Sequence, residues 1–146
     1  MTRSFLRPLL AVAACAGIFA FATPSMADMM KMKADLKASN EVPPNDSAGK
    51  GAVDVTYDSA SKKLSWKGTY SGLTGPATAA HFHTGESGKN GGVAVPIFQG
   101  PAAKSPFEGS ATLTDAQAAD LTGGKMYVNV HTDKNKGGEI RGQVTK

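Results

Sequence analysis

The sequence predicts an all-β fold, a Greek-key β-sandwich of about eight strands with one short helix. Short segments in which apolar and polar residues alternate recur along the chain, and residues that favour turns separate them. A single stretch near residues 115–122 carries signals for the start and the end of a helix. Heptads and internal repeats are absent. Together these observations favour a sheet-based domain over a helical or repetitive one.

The first 27 residues have the features of a secretory signal peptide that is removed from the mature protein. Arg3 and Arg7 accompany an apolar run at 9–22, and Ser25-Met26-Ala27 supplies the small-x-small pattern that signal peptidase cleaves. The apolar run is shorter than the roughly 20 residues of a membrane-spanning helix. We therefore expect an exported protein, periplasmic or secreted, without a transmembrane segment. A lipoprotein anchored through Cys15 is only a minor alternative, because the residues after this cysteine stay apolar.

Composition excludes several classes of site. Cys15 is the only cysteine and lies in the segment that we expect to be removed, so the mature chain has no disulfide, no thiolate ligand and no cysteine nucleophile. The whole chain has a formal net charge of +4, but without Arg3 and Arg7 it has 14 basic and 12 acidic residues, a difference of +2. The lysines are scattered and do not alternate with aromatic residues, so a nucleic-acid partner is not expected.

One domain is predicted over 36–146, after a flexible lead-in at 28–35. Met29, Met30 and Met32 lie in this lead-in, where the simplest interpretation is a frayed terminus. The alternative is that their thioethers capture a soft ion such as Cu(I). Strands are predicted at 34–38, 52–57, 64–70, 79–84, 93–99, 109–113, 126–131 and 139–144.

The predicted helix begins with a capping box, in which Thr114 is the N-cap and Gln117 occupies the third helical position. Gly123-Gly124 ends it. Ala119 and Leu121 are expected to pack this helix against an edge of the sandwich.

Three histidines, the only ones in the chain, lie in strand-like segments. His81 and His83 share one face of their strand, because successive side chains point to opposite faces. His131 lies on the polar face of a second strand. We expect the polar faces of three strands to converge on one site, with four auxiliary residues: Tyr127, Asn129, Glu139 and Arg141. For Arg141, an ion pair with Glu139 is favoured over a role in holding an anion.

A His-x-His pair on one strand, joined by an imidazole from a neighbouring strand, is a suitable site for a transition metal ion. Since thiolates are absent, we expect copper, or alternatively zinc, bound by His81, His83 and His131 with one position open. Glu139 is predicted to be a fourth ligand or to hydrogen-bond a ligating ring, a role that Glu86 or Asp133 could also take from a loop. The alternative is that the three histidines hydrogen-bond across strands without an ion. No organic cofactor is expected.

Five motifs in this order resemble the CHRD domain, which is repeated in the animal protein chordin and found singly in many exported bacterial proteins: 41–44 (EVPP), 80–85 (AHFHTG), Asn90-Gly91, 127–132 (YVNVHT) and 138–143 (GEIRGQ). The resemblance covers about 36–144 and implies an immunoglobulin-like or superoxide-dismutase-like sandwich. It implies less about activity, since a family determines a scaffold better than a function. In chordin the resemblance points to binding of growth factors, which is not expected of a single exported domain.

The His81-Phe82-His83 strand is also similar to the copper-binding strand of copper–zinc superoxide dismutase. That enzyme needs further histidines, a zinc-site aspartate and a disulfide, which this chain does not supply. No nucleophile elbow and no His-Glu-x-x-His helix is present either. We therefore expect an exported protein that captures or delivers a metal ion without turnover, with an envelope protein as a further partner. A metal-free protein-interaction or adhesion module is the first alternative, and a small copper redox enzyme is the second.

Overall fold

The computed structural model describes residues 28–100 and 104–146, so the predicted signal peptide and Cys15 lie outside the described residues. The strands are β1 (Met29–Lys37), β2 (Lys50–Asp58), β3 (Lys63–Ser71), β4 (Ala77–Thr84), β5 (Val93–Gln99), β6 (Phe107–Thr112), β7 (Met126–Thr132) and β8 (Ile140–Gln143). A 3-10 turn, Ala38–Asn40, follows β1, and one helix, α1 (Asp115–Thr122), lies between β6 and β7. The predicted all-β class, with about eight strands and a short helix, is confirmed.

All eight strands belong to one antiparallel sheet, in the order β5-β4-β7-β8-β1-β2-β3-β6. The sheet curls until its two end strands approach each other. The ring centroids of Phe98 in β5 and Phe107 in β6 are 5.4 Å apart, although no ladder joins these two strands in the described part of the chain. The predicted sandwich is thus a single, nearly closed sheet in which the ladder continues around the core.

The core is filled from alternate positions of the strands. Trp66 of β3 and Phe82 of β4 come from strands far apart in the ladder, and their rings meet edge to face with centroids 5.3 Å apart. Both side chains are buried. Because Phe82 points into the core, its neighbours His81 and His83 are directed to the outer face. The hydrophobic pattern of β4 therefore positions the two imidazoles.

The structure differs from the flexible lead-in predicted at 28–35, because β1 begins at Met29 and pairs with β2 along its whole length. Met32, Ala34 and Leu36 are buried and alternate with exposed charged residues. The prediction followed from the position of this segment at the expected start of the mature chain, where ends are usually disordered, and it overlooked the period of two in residues 29–37. The thioether of Met32 is part of the core, while Met29 is 57% exposed.

Helix α1 has the predicted capping box. Thr114 Oγ1 accepts a hydrogen bond from the Gln117 N–H at 3.2 Å, and Gln117 Oε1 accepts one from the Thr114 N–H at 2.9 Å. Leu121 is buried as predicted, but Ala119 is exposed and Ala118 packs against the core instead. The reason is helical geometry, since residues three apart share a face. No helix in the described part of the chain has the length and apolar character that crossing a membrane requires.

Candidate metal centre

Three imidazole rings meet on the outer face of β4 and β7. His81 and His83 come from β4 and His131 from the neighbouring β7, and one ring nitrogen from each lies within 4.8 Å of the others. The β4–β7 ladder places His81 opposite Asn129 and His83 opposite Tyr127. The predicted convergence of the three histidines is confirmed.

The spacing of the ring nitrogens is close to what a shared ion requires. His81 Nδ1 and His131 Nε2 are 3.1 Å apart and hydrogen-bond each other across β4 and β7, so an ion would have to replace the proton between them. Two nitrogens that each lie 2.0–2.1 Å from a tetrahedral ion are about 3.4 Å apart. This pair is thus close to ligand spacing, and binding of a shared ion would require the other nitrogens, which lie within 4.8 Å, to move inward by about 1 Å.

Two backbone carbonyls determine which nitrogens face the site. His83 Nδ1 lies 3.0 Å from the carbonyl oxygen of Gly91, and His131 Nδ1 lies 2.9 Å from that of Lys136. Since a carbonyl oxygen only accepts, each Nδ1 carries the proton and donates it, which leaves a lone pair on each Nε2. His83 Nε2 is buried and has no hydrogen-bond partner among the described residues. A second hydrogen bond of this kind is what orients metal-binding histidines in proteins.

The environment favours neutral imidazoles, the form that binds metal ions. Burial lowers the pKa of His81, and the charges of His131 and His83 lower it further. Burial also lowers the pKa of His131, although the hydrogen bond to Lys136 opposes this effect. Protons therefore compete weakly for these two rings at neutral pH.

Tyr127 and Arg141 form a stack behind His83. The rings of His83 and Tyr127 are nearly parallel, with an interplanar angle of 8° and centroids 5.0 Å apart. The guanidinium carbon of Arg141 lies 3.4 Å from the centre of the Tyr127 ring, on a side chain that is only 2% exposed. The guanidinium donates to three acceptors of the loop before β5, which are Asn90 Oδ1 at 3.1 Å and the carbonyls of Glu86 at 3.2 Å and Lys89 at 2.7 Å. Arg141 thus holds this loop through three hydrogen bonds. It does not form the predicted ion pair with Glu139.

Asn129 and Glu41 extend the polar region beside the histidines. Asn129 Nδ2 donates to the Gly137 carbonyl at 3.3 Å. Asn129 Oδ1 and Glu41 Oε1 are both buried without a hydrogen-bond partner among the described residues. A Cβ at Gly138 would lie 2.5 Å from Glu41 Oε1 and 2.6 Å from Asn129 Nδ2, so these two groups adjoin at this glycine. Burial raises the pKa of Glu41 to about 7, even though the Arg141 charge and a backbone hydrogen bond lower it.

Glu139 lies elsewhere, which corrects its predicted role beside the histidines. Its carboxylate is fully buried and bonds Thr132, whose side chain faces the opposite side of β7 from His131. The donors are Ser47 Oγ at 2.5 Å, the Thr74 N–H and Oγ1 at 2.7 Å each, Thr132 Oγ1 at 2.5 Å and Asn135 Nδ2 at 3.1 Å. Burial would raise the pKa of Glu139, but these hydrogen bonds outweigh it and lower the pKa to about 2. Because β8 begins only at Ile140, the alternation that predicted the orientation of Glu139 does not extend to it.

The other two predicted auxiliary acids also lie outside the cluster of potential ligands found in the described residues. The Glu86 carboxylate is 3.4 Å from the Lys89 ammonium and 3.9 Å from that of Lys125. Asp133 is exposed. Within 28–100 and 104–146, no carboxylate therefore joins the three imidazoles.

A family model described as the CHRD domain matches residues 32–144. The chain belongs to the CHRD domain family. The match includes both histidine-bearing strands and confirms the resemblance seen in the sequence. Comparison with the curated proteins and with the solved structures yields no match. Membership of the CHRD family describes the scaffold, while the chemistry must be argued from the site.

Sequence reasoning missed the backbone groups that orient the histidines of this CHRD domain. The sequence indicated no role at the site for Lys136, and none for Gly91 beyond the family motif, yet the carbonyls of these two residues hold two of the rings. The available signal was the glycine at Gly91, where a Cβ would lie 1.5 Å from the Thr84 carbonyl oxygen. A glycine that permits such a close approach marks a loop with a defined path.

Proposed function

We propose that this CHRD-domain protein binds a transition metal ion, copper in preference to zinc, through His81, His83 and His131. Its task is to capture or deliver the ion outside the cytoplasm, without turnover. One observation carries the proposal: two backbone carbonyls hold the His83 and His131 rings by their Nδ1 atoms, and a ring nitrogen of each of the three histidines lies within 4.8 Å of the others.

The ligand type supports the choice of metal. Imidazole suits copper and zinc, and divalent copper binds a given nitrogen site more tightly than zinc does. The absence of cysteine from 28–146 excludes a thiolate zinc site. Copper is therefore the first candidate.

Binding without turnover is supported by the roles of the neighbouring charged groups. The Glu139 carboxylate accepts five hydrogen bonds on the opposite side of β7, and the Arg141 guanidinium is taken up by the loop before β5. The signal-like first 27 residues support an exported location. An envelope protein that receives the ion is part of the same proposal.

Metal titration of the purified protein tests the proposal. We expect one ion per chain in calorimetric and chelator-competition titrations with copper, and weaker binding of zinc. A triple variant, His81→Ala with His83→Ala and His131→Ala, should lose the binding, because no other ligand cluster is found in the described residues. Lys67→Ala, on the exposed surface of β3, is the matched control and should bind as the native protein does.

Two results would contradict the proposal. The first is a failure of the native protein to bind copper or zinc, which would favour the metal-free interaction module. The second is equal binding by the native protein and the triple histidine variant. Circular dichroism spectra of all variants show whether each retains the sheet.

A further inference from the structure

A buried cation without an ion-pair partner in the described part of the chain lies behind the histidine cluster, on the far side of Tyr127. Arg141 is 2% exposed and makes no ion pair within 28–100 and 104–146. Its guanidinium is stacked on Tyr127, which is itself stacked on His83. The 3.4 Å and 5.0 Å spacings of this stack place the guanidinium carbon no farther than about 8.4 Å from the centre of the His83 ring.

The ligand set adds no negative charge to oppose this cation. All three ligands are imidazoles, and no carboxylate belongs to their cluster among the described residues. The charge of Glu41 acts on Arg141, but burial raises the pKa of Glu41 to about 7, so below this pH the carboxyl is mostly neutral. The Glu139 carboxylate is ionised, but five donors on the opposite side of β7 from the cluster take up its charge. The exposed side chains of Lys89 and Lys136 are screened by solvent.

Two physical effects then separate monovalent from divalent ions. At a separation of roughly 10 Å and an effective dielectric constant of about 20, a buried unit charge weakens the binding of a cation on the order of tenfold for each unit of ionic charge. Divalent copper also prefers a tetragonal set of nitrogen and oxygen ligands, whereas this cluster supplies three nitrogens. Monovalent copper carries half the charge and accepts three ligands.

We infer that the three-histidine site selects monovalent copper over divalent ions, and that the buried charge of Arg141 contributes to this selection. The inference rests on the proposed function and specifies which form of the metal is the cargo. Arg141 acts here through Tyr127 and His83, so it is a positioning and electrostatic residue and does not touch the ion.

The test compares the affinities of the same protein for Cu(I) and Cu(II). Each is measured below pH 7 by competition with a chelator of known affinity, Cu(I) under anaerobic reducing conditions. In the native protein we expect Cu(I) to bind more tightly than Cu(II) and Zn²⁺. In Arg141→Gln, which removes the charge, the ratio of Cu(I) to Cu(II) affinity should fall on the order of tenfold.

Arg141→Lys is the matched control, because it keeps the charge but loses the planar group that stacks and donates to the loop. It should keep most of the affinity ratio even if it lowers both affinities. If Arg141→Gln does not fold, Glu41→Gln serves in its place: above pH 7 it removes a negative charge near Arg141 and should raise the ratio.

The outcomes separate this inference from the proposed function. Tighter binding of Cu(II) or Zn²⁺ than of Cu(I), or an unchanged ratio in Arg141→Gln, overturns the selection of monovalent copper and leaves metal binding intact. Absence of binding for all three ions, in a folded native protein, overturns both.

Discussion

At the residue scale, two buried glutamates show how local donors decide the state of a carboxyl group. Glu139 accepts five hydrogen bonds, and its pKa is lowered to about 2 despite burial. Glu41 is 5% exposed and its Oε1 has no donor among the described residues, so burial raises its pKa to about 7. The first is a structural anion, and the second is a carboxyl that folding prefers to keep protonated.

This difference predicts that Glu41→Gln raises the free energy of unfolding by an amount that depends on pH. The pKa of Glu41 rises from 4.5 to about 7 on folding, so between these values the folded state binds more protons than the unfolded state does. The free energy of unfolding therefore falls as the pH rises through this interval. Glu41→Gln removes the penalty, and we expect a gain of up to about 3 kcal/mol above pH 7 and little change below pH 4.5.

Urea unfolding across this pH range measures the gain. Glu108→Gln, at an exposed position of β6, is the control for the loss of a carboxylate from the surface. If the difference in stability between Glu41→Gln and the native protein is the same from acid to neutral pH, folding does not raise the pKa of Glu41.

The sequence identified the three histidines, because the alternation of side chains in a strand is a local rule that β4 and β7 obey. It did not identify the partner of Glu139, because that depends on Ser47 and Thr74, which are distant in the chain and meet Glu139 only in the folded state. Nor did it identify the pairing of Tyr127 with Arg141, which depends on the register of β7 against β8.

At the element scale, the loop between β4 and β5 links the histidine strand to the rest of the site. Gly91 donates its N–H to the Tyr127 hydroxyl at 3.2 Å, and its carbonyl accepts from His83. Arg141 holds the preceding residues of the same loop. The strands themselves were predictable from their period of two, and β5 matches its predicted range of 93–99. The path of this loop was not predictable, because it depends on contacts with β7 and β8.

Adjacent glycines in this loop give a matched pair of variants. Gly91→Ala places a Cβ 1.5 Å from the Thr84 carbonyl oxygen, so the loop must move, while a Cβ at Gly92 meets nothing within 4 Å. We expect Gly91→Ala to lose about 2 kcal/mol or more of stability and to bind copper more weakly, because the His83 ring loses its acceptor. Gly92→Ala should be close to neutral.

Thermal unfolding and copper titration of the two variants check this expectation. Equal behaviour of Gly91→Ala and Gly92→Ala in both measurements would show that the loop path does not hold the ring.

At the scale of the whole molecule, one sheet wraps around a core in which Trp66 and Phe82 meet from opposite parts of the ladder. The alternating strands and the turn residues between them made this all-β class predictable. The continuity of the ladder through β8 and β1 could not be predicted, because it depends on the pairing of Lys37 with Arg141, which lie at opposite ends of the domain sequence.

Metal binding is expected to stabilise the whole fold, since the ligands are 50 residues apart in the chain and come together only when it folds. At an ion concentration a hundredfold above the Kd, the free energy of unfolding should rise by about 2.7 kcal/mol. For a domain of this size that corresponds to a rise in Tm of roughly 10 °C.

Calorimetric unfolding with and without copper measures this rise. His131→Ala should show a much smaller one, because it removes the ligand from β7. An equal rise in the variant would mean that copper stabilises the fold from a different place.

The incomplete closure of the sheet has a consequence for how the molecule opens. Among the described residues, strands β5 and β6 are joined by ring contacts and not by a ladder, so we expect local unfolding to begin, and amide hydrogens to exchange first, between these two strands. β4 lies one strand inward and is paired on its other side with β7. Strands β5 and β6 can therefore separate locally while β4 and β7, the two strands that carry the imidazoles, remain hydrogen-bonded to each other.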